Sequence, residues 1–127
     1  YIRPSFGYFR KFLICHHIIN NVHPSVPPAL AGTVDVVRVT ALGMLETMSA
    51  LTAVRAADIA AKASSIILME VRVARGLGGK GYLTFTGEVS AVKSALDSCV
   101  SQLADSGDIT GSCLIPSPHK GLLEKLV

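Results

Sequence analysis

The apolar positions of this chain change their period several times, and each change marks an element. Residues 36–46 are β-branched at first and largely apolar, which predicts a strand. From Ser49 the spacing lengthens. Leu51, Val54, Ala57 and Ala61 fall on one helical face, with Arg55, Asp58 and Lys62 on another. Ile67, Met69, Val71 and Val73 then alternate with Leu68, Glu70, Arg72 and Ala74, the period of two of a strand. Leu83 and Phe85 alternate in the same way with Tyr82, Thr84 and Thr86. Val89, Val92, Leu96, Cys99, Val100 and Leu103 step by three and four, a second amphipathic helix that ends near Gly107. Residues 109–115 predict a last strand, Pro116-Ser117-Pro118-His119 breaks the chain, and Leu122, Leu123 and Leu126 predict a short closing helix. The order β-α-β-β-α-β plus a terminal helix belongs to the α/β (α+β) class, as a ferredoxin-like, split-βαβ arrangement.

Between the two middle strands lies VARGLGGKGYLTF, residues 73–85. Gly76, Gly78 and Gly81 fit the G-x-G-x-x-G spacing of a dinucleotide loop, but that loop must run from a strand into a helix, whose N-terminus meets the pyrophosphate. The residues after Gly81 alternate as a strand. A Walker A loop also fails, because Gly81 rather than Ser or Thr follows Lys80. The glycines therefore predict a strand-to-strand turn, where they supply positive φ.

Composition narrows the class. A chain of 127 residues suits one core, and 50% hydrophobic with 17% charged residues is too apolar for disorder. So few charges imply that neighbouring subunits cover part of the surface. The net charge of +3 comes without a basic run, which argues against nucleic acid as a partner. Cys15, Cys99 and Cys113 form no C-x-x-C pair, and reduced thiols in a cytoplasm are the simplest reading. Cys99 and Cys113 are expected in the core. The uncharged stretch 12–34 carries His16, His17, Asn20, Asn21, His23 and three prolines, so it predicts neither a membrane span nor a secretory signal. No Ser-His-Asp set, paired carboxylates or metal-spaced ligands emerge; neither catalysis nor a metal is expected.

Residues 1–35 differ from the rest in holding Pro4, Pro24, Pro27 and Pro28 together with Phe6, Phe9 and Phe12. One echo links them to the end of the chain. His23 and His119 are each followed by an apolar residue at +3, Val26 or Leu122, and by leucine at +7, Leu30 or Leu126. Both histidines read as turn and capping residues rather than ligands. Residues 13–30 then resemble the tail of a preceding domain, with residues 36–127 forming the domain proper. Phe12, Leu13, Ile14, Ile18 and Ile19 are apolar enough that the arm is expected to pack on its own or a neighbouring domain.

Four segments, in order, resemble the bacterial microcompartment shell proteins. Ala41-Leu42-Gly43-Met44-Leu45-Glu46-Thr47 is similar to the family's A-[LIV]-G-[ML]-[LIV]-E-T strand, and Ala56-Ala57-Asp58-Ile59-Ala60-Ala61-Lys62-Ala63 to its A-A-D-x-x-x-K-A helix. Gly87-Glu88-Val89-Ser90-Ala91-Val92 resembles G-[DE]-V-x-A-V, and Ile115-Pro116-Ser117-Pro118-His119 resembles the closing I-P-x-P-H. The segment H-P-S-V-P-P-A-L-A-G resembles the junction of tandem shell proteins, including the type of propanediol-utilisation compartments. Residues 1–35 would then be an arm left from a first domain. That type can hold an iron–sulfur cluster in the first domain's pore loop. Cys15 sits in a different context, so no cofactor is carried over.

The resemblance implies a structural protein, not an enzyme, located in the cytoplasm within a microcompartment shell. It would form a disc-like hexamer, or a trimeric pseudohexamer if a first domain is present, tiled with other shell proteins. Gly76, Leu77, Gly78, Gly79 and Lys80 would line a central pore for small polar metabolites. Arg75 and Lys80 would make its mouth positive, since no acid lies between Glu70 and Glu88. Lys62 would sit at the oligomer edge with Ser117 and His119. Ser117 stands where the family usually has arginine, so that contact should be weaker. Read without the resemblance, Lys62 is a solvated lysine near a helix end, with Asp58 one turn before it. The alternative for the whole chain is a small-molecule-binding regulatory module on the same scaffold.

Overall fold

The computed structural model describes residues 12–73, 76 and 78–126. Its elements are α1 (Val26–Ala31), β1 (Ala41–Thr47), α2 (Ala50–Ala63), β2 (Ile67–Val73), β3 (Gly81–Gly87), α3 (Val89–Leu103), a 3₁₀ turn (Ala104–Ser106), β4 (Ile109–Ile115) and α4 (Lys120–Leu126). The strands form one antiparallel sheet in the order β2-β3-β1-β4. With α2 and α3 inserted after β1 and β3, this is the ferredoxin-like order the periodicity predicts.

One face of the sheet carries the core. Leu45 of β1, Leu68 and Val71 of β2, and Leu83 and Phe85 of β3 pack in one cluster with Ala53, Ala56, Ala57 and Ala60 of α2 and Val92, Ala95, Leu96, Cys99 and Leu103 of α3. An all-alanine stripe on α2 lets that helix lie close to the sheet. Gly81 marks how close, since a Cβ there would come to 2.6 Å from Ala53 Cβ; one on Gly43 would meet the Phe85 ring of the paired strand at 2.5 Å and Val92 of α3 at 2.8 Å. Larger residues at either site would push the layers apart.

α1 starts with prolines in its first turn, where a missing N–H costs nothing, and closes on Gly32 at φ 67°. Val26 and Ala29 are fully buried, and the helix lies against β2 and α2. α4 follows the break at residues 116–119 and buries no residue. Both helices are opened by a histidine, as the sequence echo suggested. Ser25 N–H donates to His23 Nδ1 at 3.3 Å and Gly121 N–H to His119 Nδ1 at 3.1 Å. Val26 and Leu122 N–H donate to the respective histidine carbonyls, each at 3.0 Å.

Within these elements the sequence reading needs three corrections. β1 begins at Ala41, not Val36, because its partner β3 ends at Gly87 opposite Ala41 and the chain then turns into α3, leaving residues 36–39 no strand to pair with. Strict alternation in β2 breaks at a register shift between Leu68 and Glu70, which brings Leu68 and Val71 together into the core and leaves Ile67 exposed. The buried stripe of α2 is one of alanines, with Leu51, Val54 and Ala61 only half-buried, and Asp58 is buried rather than on the outer face. Part of the arm's apolar run is left uncovered within this chain, while Ile19 is half-buried. Phe12, Ile14 and Ile18 are exposed, Ile14 to 99%, and the arm is held instead through Val26 and Ala29.

Candidate functional site

The connection from β2 to β3 is a turn, and its described glycines are conformational. Gly76, Gly78 and Gly79 have φ of 75°, 62° and 89°, the left-handed region that disfavours side chains. A Cβ on any of them would meet nothing within 4 Å. These glycines have open space on their Cβ side, and β3 follows the turn directly, so the chain does not run from it into a helix as a dinucleotide loop must. Leu77 and Arg75 lie outside the described residues.

Among the described residues, the C-terminal half of the turn is anchored. Ala50 N–H, at the start of α2, donates to the Gly79 carbonyl at 2.9 Å. Thr47 Oγ1 lies 3.2 Å from the Gly81 carbonyl it donates to, and 2.8 Å from that of Ser49. Ser49, the residue before α2, makes no side-chain cap bond. A turn carbonyl meets one of the helix's unsatisfied donors instead, tying the turn to α2.

Lys80 extends toward β1, where its Nζ lies 3.6 Å from Glu46 Oε1, with the two side chains 44% and 50% exposed. Glu46 faces Tyr82 on β3 and Gly111 on β4. Met44, Glu46, Lys80, Gly81, Tyr82 and Leu126 line a recess of about 330 Å³ at the foot of the turn. Beside it, Arg72 pairs with Glu70 at 2.6 Å and stands 5.7 Å from the centre of the Tyr82 ring. The hydrogen bond and charge of Glu70 raise the Arg72 pKa, and partial burial followed by Glu70's charge raises that of Tyr82.

The second candidate region is the outer end of α2. Asp58 is 6% exposed, and two donors satisfy its carboxylate: Lys62 Nζ at 2.6 Å and the backbone N–H of His23 at 2.7 Å. Lys62, itself 40% exposed, thus has a partner one turn back on its own helix. Ser117 and His119 are exposed in the segment between β4 and α4. Among the described residues, no hydrogen bond or ion pair joins either of them to Lys62. His119 is engaged in opening α4.

The cysteines divide. Cys99 is fully buried, donates to the Ala56 carbonyl at 3.3 Å, and its pKa is pushed up to about 12 by burial. Cys113 is exposed, contrary to the core position expected of it, because β4 is an edge strand whose middle residues are uncovered. No group of three or more His, Cys, Asp or Glu side chains among the described residues is placed to hold a metal. No helix among them is long and apolar enough to cross a membrane.

Sequence reasoning missed Glu46 beside Lys80 and the arm's hold on Asp58. Neither has a local signal: 34 residues separate the first pair and 35 the second. The only hint was the four-residue spacing of Asp58 and Lys62, which marks an ion pair but not its burial.

Comparison with known proteins gives a consistent result. The BMC domain family model matches residues 41–118. The chain is 36% identical over 110 residues, 87% of its length, to the bacterial microcompartment shell protein PduT of Citrobacter freundii. It is 33% identical over 81 residues to the shell protein PduA of Salmonella typhimurium, which covers 62% of this chain and 82% of that one. A solved microcompartment protein from Desulfitobacterium hafniense DCB superimposes with a TM-score of 0.80 at 37% identity, over 84% of this chain and 59% of that one. The chain thus spans about three fifths of the length of PduT and of that solved relative.

Proposed function

This chain belongs to the BMC domain family, and from that premise we propose that it is a structural shell protein of a bacterial microcompartment in the cytoplasm. The observation that carries the reading is the family match over residues 41–118, which contains both the glycine turn and the Asp58–Lys62 pair. The reading assigns no catalytic step to the chain. Its partners are its own copies, as a hexamer or as a trimeric pseudohexamer of a two-domain protein, and other shell proteins.

In that assembly the turns at Gly76, Gly78 and Gly79 surround the symmetry axis as the rim of a pore for small polar metabolites. The open space on their Cβ side supports this, since glycine backbone with no side chain to fill that space is free to face a lumen. Lys62, with Ser117 and His119, lies at the disc edge. Residues 1–35 are the remnant of a preceding shell domain, a reading supported by the matching histidine-led starts of α1 and α4. The exposed apolar residues of the arm, Phe12, Ile14 and Ile18, then face a neighbouring domain.

Size-exclusion chromatography with light scattering tests the reading. A closed oligomer of shell-disc mass is expected, together with sheets or tubes by electron microscopy at high concentration. A monomer at every concentration overturns it.

A further inference from the structure

We propose that Glu46 sets the charge selectivity of the glycine-turn opening, by holding a fixed countercharge beside Lys80. The inference rests on the pore reading and deepens it. Along the chain, Arg75 and Lys80 flank the turn without any acid between Glu70 and Glu88, so a ring of such turns counts as strongly positive. The fold changes the count. The β1–β3 register sets Thr47 opposite Gly81 and Glu46 opposite Tyr82, which brings the Glu46 carboxylate to 3.6 Å from Lys80 Nζ. The other nearby acid, Glu70, is taken up by Arg72 and by the Tyr82 hydroxyl, at 2.6 and 3.4 Å, and pairs with no turn cation among the described residues.

Two opposite charges this close act at a distance as a dipole, whose field dies away faster than that of a lone charge. Screening over about 8–10 Å at ordinary salt removes most of what remains. The cancellation does not need a strong ion pair. Glu46 is fixed at the end of a central strand, so its charge stays within reach of Lys80 even when the contact opens. Cyclic symmetry repeats both charges equally. Both also line the recess at the foot of the turn, so a solute passing the rim meets a carboxylate and an ammonium together. Lys80 therefore does not make an anion filter here. Where this pair lies, the opening favours uncharged polar solutes, able to hydrogen-bond to either sign, and a preference for anions is left to Arg75 alone.

Reversal potentials of the oligomer in a planar bilayer under a potassium chloride gradient test this, with light scattering confirming that each variant keeps its mass. Glu46→Gln should shift the anion-to-cation permeability ratio toward anions by roughly tenfold, the low end of field focusing in a cleft. Lys80→Gln should shift it toward cations, and the double variant should return to the wild-type value. Gly78→Asn, a residue that tolerates the left-handed backbone, checks the pathway by narrowing the rim and lowering conductance. If Gly78→Asn lowers conductance but Glu46→Gln leaves the reversal potential unmoved, the role of Glu46 is refuted while the pore stands. If the oligomer conducts no ions, or Gly78→Asn leaves conductance unchanged, the pore reading falls and this inference with it.

Discussion

Helices α1 and α4 begin alike, each on a histidine that accepts the N–H two residues on through Nδ1 and the N–H three residues on through its carbonyl. Their surroundings then diverge. α1 buries Val26 and Ala29 against β2 and α2, and the His23 N–H reaches into the domain to Asp58. α4 buries no residue, and its Leu122 stays exposed. One local motif thus gives an integral piece of the core in one place and a surface helix in the other. A cap decides where a helix starts, while burial is decided by whether an apolar surface is there to receive it.

Breaking that contrast at its strongest point gives the largest effect. Val26→Asp puts an unpaired charge into the core and should cost about 3–5 kcal/mol. Leu122→Asp, at the matching position of α4, should change stability by no more than about 0.5 kcal/mol. Urea unfolding of the two variants measures both, and equal losses would mean that α4 is as integral as α1.

Asp58 is the polar half of α1's attachment. Asp58→Ala removes a charged acceptor from two donors and should cost about 1.5–3 kcal/mol. It should also raise the hydrogen exchange of the His23 amide, whereas amides of β3 keep their relative protection. Uniform loss of protection would show that Asp58 supports the whole domain rather than the arm.

The two caps themselves should differ less. His23→Ala is expected to cost about 1 kcal/mol, as loss of a helix cap does. His119→Ala should leave global stability within about 0.5 kcal/mol, because α4 can fray without opening the core. Its effect should appear instead as faster exchange at the Leu122 and Leu123 amides.

A small effect on stability sharpens the picture most for function. Lys62 is one of Asp58's two donors but is solvent-accessible, so Lys62→Ala should cost only about 0–1 kcal/mol. Discs should remain intact by light scattering while lateral sheets become rare by electron microscopy. Sheets forming as readily as in the wild type would remove Lys62 from the disc edge.

Much of this molecule was legible along the chain because its signals are local. The alternation of Leu83 and Phe85 with Tyr82, Thr84 and Thr86 identified β3, and the three-and-four spacing of Val92, Leu96, Cys99 and Leu103 identified α3. The glycines of residues 76–81 announced a turn by a backbone requirement that needs no partner, and the closing helix was announced after His119, whereas α1 after His23 was not predicted as a helix. Each element depends on bonds or burial patterns spanning a few residues, so the sequence by itself determined them, together with the β-α-β-β-α-β order. Tertiary structure alone decided what depends on groups distant in the chain. β1 starts where β3 ends, the register shift in β2 selects Leu68 for the core, and Cys113 is exposed because β4 is an edge strand, paired with β1 on one side, whose middle residues are uncovered. Glu46 meets Lys80, and His23 meets Asp58, only once the strands are in register and α1 is docked. Electrostatic and hydrogen-bond partners act through space, and spacing along a chain carries no record of them until the fold closes the distance.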